Sequence, residues 1–146
     1  MRPDLQEALP SFDVAKPSRR IELARLAKAI EASWDHLTAY QGATQPNNPA
    51  YGQCYPTSRV VQWFYPEVEI ACGDVWTGSS NERHFWNIRG SGDDAEWIDL
   101  SWTQFPPGSI VQKYEVLDRN SLGDSRATVE RCALLLRRVL AHLAPE

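Results

Sequence analysis

Nothing in this 146-residue sequence approaches the run of about 18 apolar residues that a membrane-spanning helix needs. The first residues carry Asp4, Glu7 and Pro10 where a secretory signal would place its apolar core. Basic charge is short as well, since 15 Lys and Arg stand against 19 Asp and Glu, for a net charge of -4 and a pI near 5.4. Phosphate backbones and anionic membranes are bound by clustered cations, and the one dense group here is Arg131, Arg137 and Arg138 near the C-terminus. Neither nucleic acid nor a membrane is therefore expected as a partner.

Cysteine is sparse too. Cys54, Cys72 and Cys132 are too few and too far apart for a disulfide framework, and none belongs to a Cys-x-x-Cys pair. A reducing, cytoplasmic location is expected, with export by a route that uses no signal peptide left open. There are no internal repeats and no low-complexity tracts. What remains, with 42% hydrophobic and 23% charged residues, suits one soluble domain with one main core.

The spacing of breakers and apolar residues predicts an α+β domain over residues 19 to 146, preceded by a Pro-containing arm over 1 to 18. Ser18 can cap a helix from Arg19 to Trp34, whose Leu23, Leu26, Ala27 and Ile30 recur at helical spacing. Residues 35 to 52 hold Gly42, Pro46, Asn47, Asn48, Pro49 and Gly52, too many breakers for regular structure, and irregular segments of that length often line sites. A second helix should run from Cys54 to Tyr65 and stop at Pro66.

Period-two alternation then predicts four strands, Val68 to Trp76, Arg83 to Arg89, Glu96 to Trp102 and Ser109 to Leu117. A hairpin loop at Gly90-Ser91-Gly92-Asp93 would set Arg89 opposite Asp94 and His84 opposite Asp99. That face would also carry Trp86, Ile88 and Trp97, and a helix packed on it could present Cys54. Ser125 should cap a last helix with Val129, Cys132, Leu136 and Val139 on its buried stripe.

Free cysteines are usually buried, and Cys132 on a helix stripe and Cys72 in a strand read as core. Cys54 differs because it follows Gly52-Gln53 and opens a helix, where the dipole and free N–H groups stabilise a thiolate. Pro56, two residues on, fits only a helix that has just begun. A thiol nucleophile needs a base, and a base needs a third group to fix its tautomer, which His84 and Asp99 would supply. An oxyanion would be met by the Cys54 N–H and by the amide of Gln53 or Asn48.

Asn87 points to the other strand face and reads as structural, and His36 and His142 as surface residues. A zinc site built from Cys54, His84 and Asp99 lacks the short ligand pairs typical of zinc, so no metal and no cofactor is expected. Six tryptophans suggest sugar stacking, but such residues more often fill core and rim, and no separate carboxylate pair accompanies them.

The segments Asn48 to Cys54, His84 to Asn87 and Ile98 to Phe105 resemble the motif set of the YunG-like family of small, uncharacterised bacterial proteins. More distantly they are similar to papain-fold and transglutaminase-like thiol enzymes, including toxin and deamidase domains. The resemblance spans about residues 33 to 106. It implies a Cys-bearing helix packed on about four antiparallel strands, with Cys54 as nucleophile, His84 as base and Asp99 as orienter. The expectation is a cysteine-dependent hydrolase or acyl/amide transferase of peptidase, deamidase or amidase type, acting on an amide- or acyl-bearing protein, peptide or small molecule. The alternative is a non-catalytic binding or interaction module on the same fold. Oligomeric state is left open.

Overall fold

The computed structural model describes residues 21–144. The arm expected over residues 1 to 18, with its Ser18 cap, lies outside the described residues. Within them the order is α1 (Leu23–Ser33), α2 (Cys54–Phe64), β1 (Glu69–Trp76), β2 (Asn81–Arg89), β3 (Glu96–Ile98), β4 (Ile110–Val116) and α3 (Arg126–Leu143). The fold is thus α+β, three helices with a four-stranded antiparallel sheet of order β3-β2-β1-β4.

The first and last helices each bury one stripe, whereas α2 is buried all round from Pro56 to Trp63. Leu26, Ala29, Ile30 and Ser33 line the inner side of α1, and Val129, Cys132, Leu136 and Val139 that of α3. They close on Val60, Val61 and Trp63 of α2 to form the main core, where each fully buried valine contributes about 2 kcal/mol. Ser125 caps α3 as expected, its hydroxyl accepting from the Thr128 N–H at 3.2 Å. α1 begins four residues later than the sequence spacing predicts. Glu22, its N-cap, is extended, and the Ile21 carbonyl accepts from the Tyr65 hydroxyl instead of entering a helical ladder.

The two sheet faces have different roles. Ile98, opposite Asn87, joins the main core, and the Asn87 amide donates to the Ser58 carbonyl of α2 at 3.0 Å. Phe85 meets Tyr55 of α2 edge-on, with ring centroids 4.9 Å apart. α2 therefore packs on the face of Phe85 and Asn87, which corrects the expectation that it lies on the His84 face. Asn87 is the structural tie that fixes it there, since a buried amide must find a partner.

The other face carries His84, Trp86 and Ile88 over Ala71, a smaller core. Trp97 of β3 and Tyr114 of β4 meet at 5.0 Å across it, each ring also touching Trp86. Gly73 makes that arch possible. A Cβ there would lie 2.4 Å from the Lys113 carbonyl and 2.9 Å from the Trp86 ring.

The β2–β3 register also differs. A 3-10 turn at Gly92–Asp94 lengthens the hairpin loop, so Arg89 pairs with Glu96 rather than Asp94, and Ile88 with Trp97. A slip of two residues preserves the faces. It removes the direct His84–Asp99 pairing, however, and β3 ends at Ile98 instead of continuing to Trp102.

Candidate active site

Local backbone geometry fixes where the thiol stands. Gly52 has φ +78, and its carbonyl accepts from the Tyr40 N–H at 2.9 Å while a Cβ there would sit 3.2 Å from the Ala43 carbonyl. Only glycine suits that turn, which delivers Gln53 as N-cap and Cys54 as the first helical residue. Pro56 falls in the same first turn, where its missing N–H costs nothing. Cys54 is half-buried, whereas Cys72 and Cys132 are buried. Burial pushes the Cys132 thiol up to about 12 and the Cys72 thiol up as well, although Arg83 donates to the Cys72 sulfur at 2.7 Å.

The first turn of α2 is held from its far side by Asp124. Its Oδ1 accepts from the Tyr55 hydroxyl and its Oδ2 from Arg59 Nε at 2.9 Å, which anchors the residue next to the thiol to the segment before α3. Burial, then the Asp124 carboxylate, raises the Tyr55 pKa, so the phenol remains a donor.

His84 is fully buried, enclosed by Trp86, Trp102 and Phe105 at centroid distances of 5.6, 5.8 and 4.8 Å. Its Nε2 lies 2.7 Å from Asp99 Oδ2. Asp99 reaches it from the turn just beyond β3, and its Oδ1 is buried with no hydrogen-bond partner among the described residues. Burial is the largest influence on the ring and pushes its pKa down. Hydrogen bonds to Asp99 and to the Cys54 thiol, with the charges of both, outweigh it and bring the ring up to about 9. With Nε2 held by a carboxylate, which only accepts, Nδ1 is the nitrogen left for the sulfur. Imidazole and carboxylate thus form a bonded pair assembled from β2 and the turn after β3, and the Cys54 thiol of α2 stands near enough to take part in raising the ring.

The two amides expected beside the thiol are engaged elsewhere. Gln53 is buried, its Oε1 accepting from Thr38 at 2.8 Å and its Nε2 donating to the Asp35 carbonyl at 2.9 Å. Asn48 Nδ2 donates to Gln45 Oε1 at 3.0 Å and to the Gln104 carbonyl at 2.9 Å. A residue not singled out from the sequence stands beside the ring instead. Gln104, in the 3-10 turn Trp102–Gln104, has Nε2 3.4 Å from His84 Nδ1 and 3.2 Å from the Ser101 carbonyl.

Beside the thiol opens a cleft of about 460 Å³, walled by Tyr40, Tyr51, Tyr55, Phe85 and Gln104. The irregular segment after α1 supplies two of those walls. Among the described residues no group of three or more His, Cys, Asp or Glu side chains could hold a metal ion, and no helix is long and apolar enough to cross a membrane. His36 and His142 are exposed.

No curated protein and no solved structure matches the chain. A family model described as YunG protein matches it over residues 22–144.

Proposed function

The chain belongs to the YunG protein family, and taking Cys54 at the mouth of α2 together with the His84–Asp99 pair as its working part, we propose that it is a cysteine-dependent hydrolase or acyl/amide transferase. Cys54 is the nucleophile, His84 the proton carrier and Asp99 the group that fixes the ring. The observation that carries this reading is the 2.7 Å contact of His84 Nε2 with Asp99 Oδ2, which leaves the opposite ring nitrogen for a thiol at a helix start. The same arrangement, cysteine on a helix and histidine on an adjoining strand, supports a distant papain-like or transglutaminase-like relationship and a reducing, cytoplasmic setting.

The steps follow from the positions. The Cys54 proton passes to His84 Nδ1, and the thiolate forms a bond to the carbonyl carbon as the C=O electron pair moves onto oxygen. The Cys54 N–H, in a first helical turn with no intrahelical acceptor, is one donor to that oxygen. Collapse breaks the bond to the leaving amine or alcohol, which takes the proton from His84 and leaves a thioester on Cys54. Water, or an amine in a transferase, then gives its proton to His84 and attacks the thioester. The product leaves and the thiol is restored. Asp99 accepts from Nε2–H throughout and stabilises the imidazolium. The substrate is an amide- or acyl-bearing molecule whose acyl part fits the aromatic-walled cleft.

The test is alkylation of Cys54 by iodoacetamide across pH 5 to about 9. An ordinary thiol near 8.5 is only about 0.3% ionised at pH 6. At that pH the wild type should react at least about ten-fold faster than His84→Ala, with Asp99→Asn between them. Superimposable profiles would remove the enzyme reading and favour a binding module.

A further inference from the structure

Acyl transfer needs a second donor aimed at the oxygen that becomes charged, and we infer that the side-chain amide of Gln104 is that donor. This rests on the thiol-enzyme reading above and names the part of the site which that reading leaves open.

Gln104 is placed by contacts that leave its amide little freedom. Its main-chain N–H and its Nε2 both donate to the Ser101 carbonyl, at 3.1 and 3.2 Å. A carbonyl can only accept, so this bond identifies the nitrogen end of the amide. Its own carbonyl is held by Asn48 at 2.9 Å, and Asn48 takes its position from the segment that leads into Cys54. The turn and the thiol loop are therefore coupled, and Gln104 shares with Cys54 the lining of the cleft.

The second Nε2 hydrogen lies toward His84 Nδ1, 3.4 Å away, a long contact. While the ring is neutral and Nε2–H faces Asp99, Nδ1 is an acceptor for it. Once Nδ1 takes the thiol proton it becomes a donor, and the amide hydrogen loses its acceptor. It is then free for the carbonyl oxygen as negative charge develops there. A ring that carries its proton therefore leaves the amide hydrogen to the developing oxyanion.

Two reactions of one thiol separate this role from positioning. Alkylation by iodoacetamide displaces iodide at a saturated carbon and creates no oxyanion, whereas acylation by p-nitrophenyl acetate passes through a tetrahedral oxyanion. Gln104→Ala and the similarly sized Gln104→Met should lower the acylation rate of Cys54 by about 100-fold and leave its alkylation rate within about two-fold. The alkylation rate also reports that the site is folded. Equal loss in both reactions would make Gln104 a support for His84 and overturn the inference, as would no loss in either. A wild type that alkylates in a His84-dependent way yet never acylates at Cys54 would overturn it as well, and a wild type without His84-dependent alkylation would remove the reading beneath it.

Discussion

Replacing Asp99 by Asn keeps the shape of the His84 contact and removes its charge, so the loss should depend on pH in a stated direction. The gap between an ordinary histidine at 6.5 and His84 at about 9 corresponds to about 3 kcal/mol, at roughly 1.4 kcal/mol per ten-fold change in proton affinity. Because the folded value is the higher one, this stabilisation is complete below pH 6.5, where both states carry the proton. It fades as pH rises and is gone above about 9, where both have lost it. Burial lowers the ring while Asp99 and Cys54 raise it, so about 3 kcal/mol is the net of opposing influences and not the share of Asp99 alone. In Asp99→Asn burial acts with less opposition and the ring pKa falls. Urea unfolding followed by tryptophan fluorescence, with Trp86 and Trp102 beside the ring, should show a loss of about 2 to 3 kcal/mol at pH 6 and under about 1 kcal/mol at pH 10. An equal loss at both pH values, or a larger one at pH 10, would refute the assignment of a charged His84–Asp99 pair.

Of the three cysteines, native protein should release one equivalent quickly to an aromatic disulfide reagent at pH 7, at Cys54, with Cys72 and Cys132 reacting only after unfolding. Gly73→Ala forces a Cβ against the Lys113 carbonyl and the Trp86 ring and should cost about 3 kcal/mol or more by urea titration, while alanine at the open position Gly92 meets no neighbour and should cost only about 1 to 2 kcal/mol for its left-handed backbone. Asn87→Ala strips the Ser58 carbonyl of its buried donor and should cost about 1 to 3 kcal/mol in the same assay.

Local rules carried far along this chain. The span Cys54 to Tyr65, read from Pro56 near its start and Pro66 after its end, agrees with the observed α2 within a residue, and Ser125 is the cap of α3, because these depend on backbone chemistry a few residues wide. Strand alternation gave the right face for His84 because a face depends only on odd or even position. The register depended on the length of the loop after Arg89, and the 3-10 turn at Gly92–Asp94 changed it without changing that parity. Which face receives α2 was decided by the buried Asn87 amide and by Phe85, contacts that no sequence periodicity encodes.

The neighbours of the thiol were legible as residue types and less so as partners. Asn48 and Gln53 precede Cys54 in sequence, yet their amides serve Gln104, Gln45, Thr38 and Asp35. Gln104 carried a signal, since Ser101 followed three residues later by Gln104 is a helix-start pattern and argued for a turn where a strand was expected to continue. The side-chain packing that sets its amide beside His84 lies beyond that signal.

The central claim is that Cys54 accepts an acyl group with the help of His84, and the most direct measurement is the mass of the intermediate. Protein mixed with p-nitrophenyl acetate, quenched in acid at intervals and mapped by peptide mass spectrometry should carry acetyl on Cys54 within the first turnovers and lose it to water or added amine. His84→Ala should acquire it at least about ten-fold more slowly. Acetyl scattered over surface lysines with Cys54 unmodified, or Cys54 acetylated equally fast without His84, would contradict the claim.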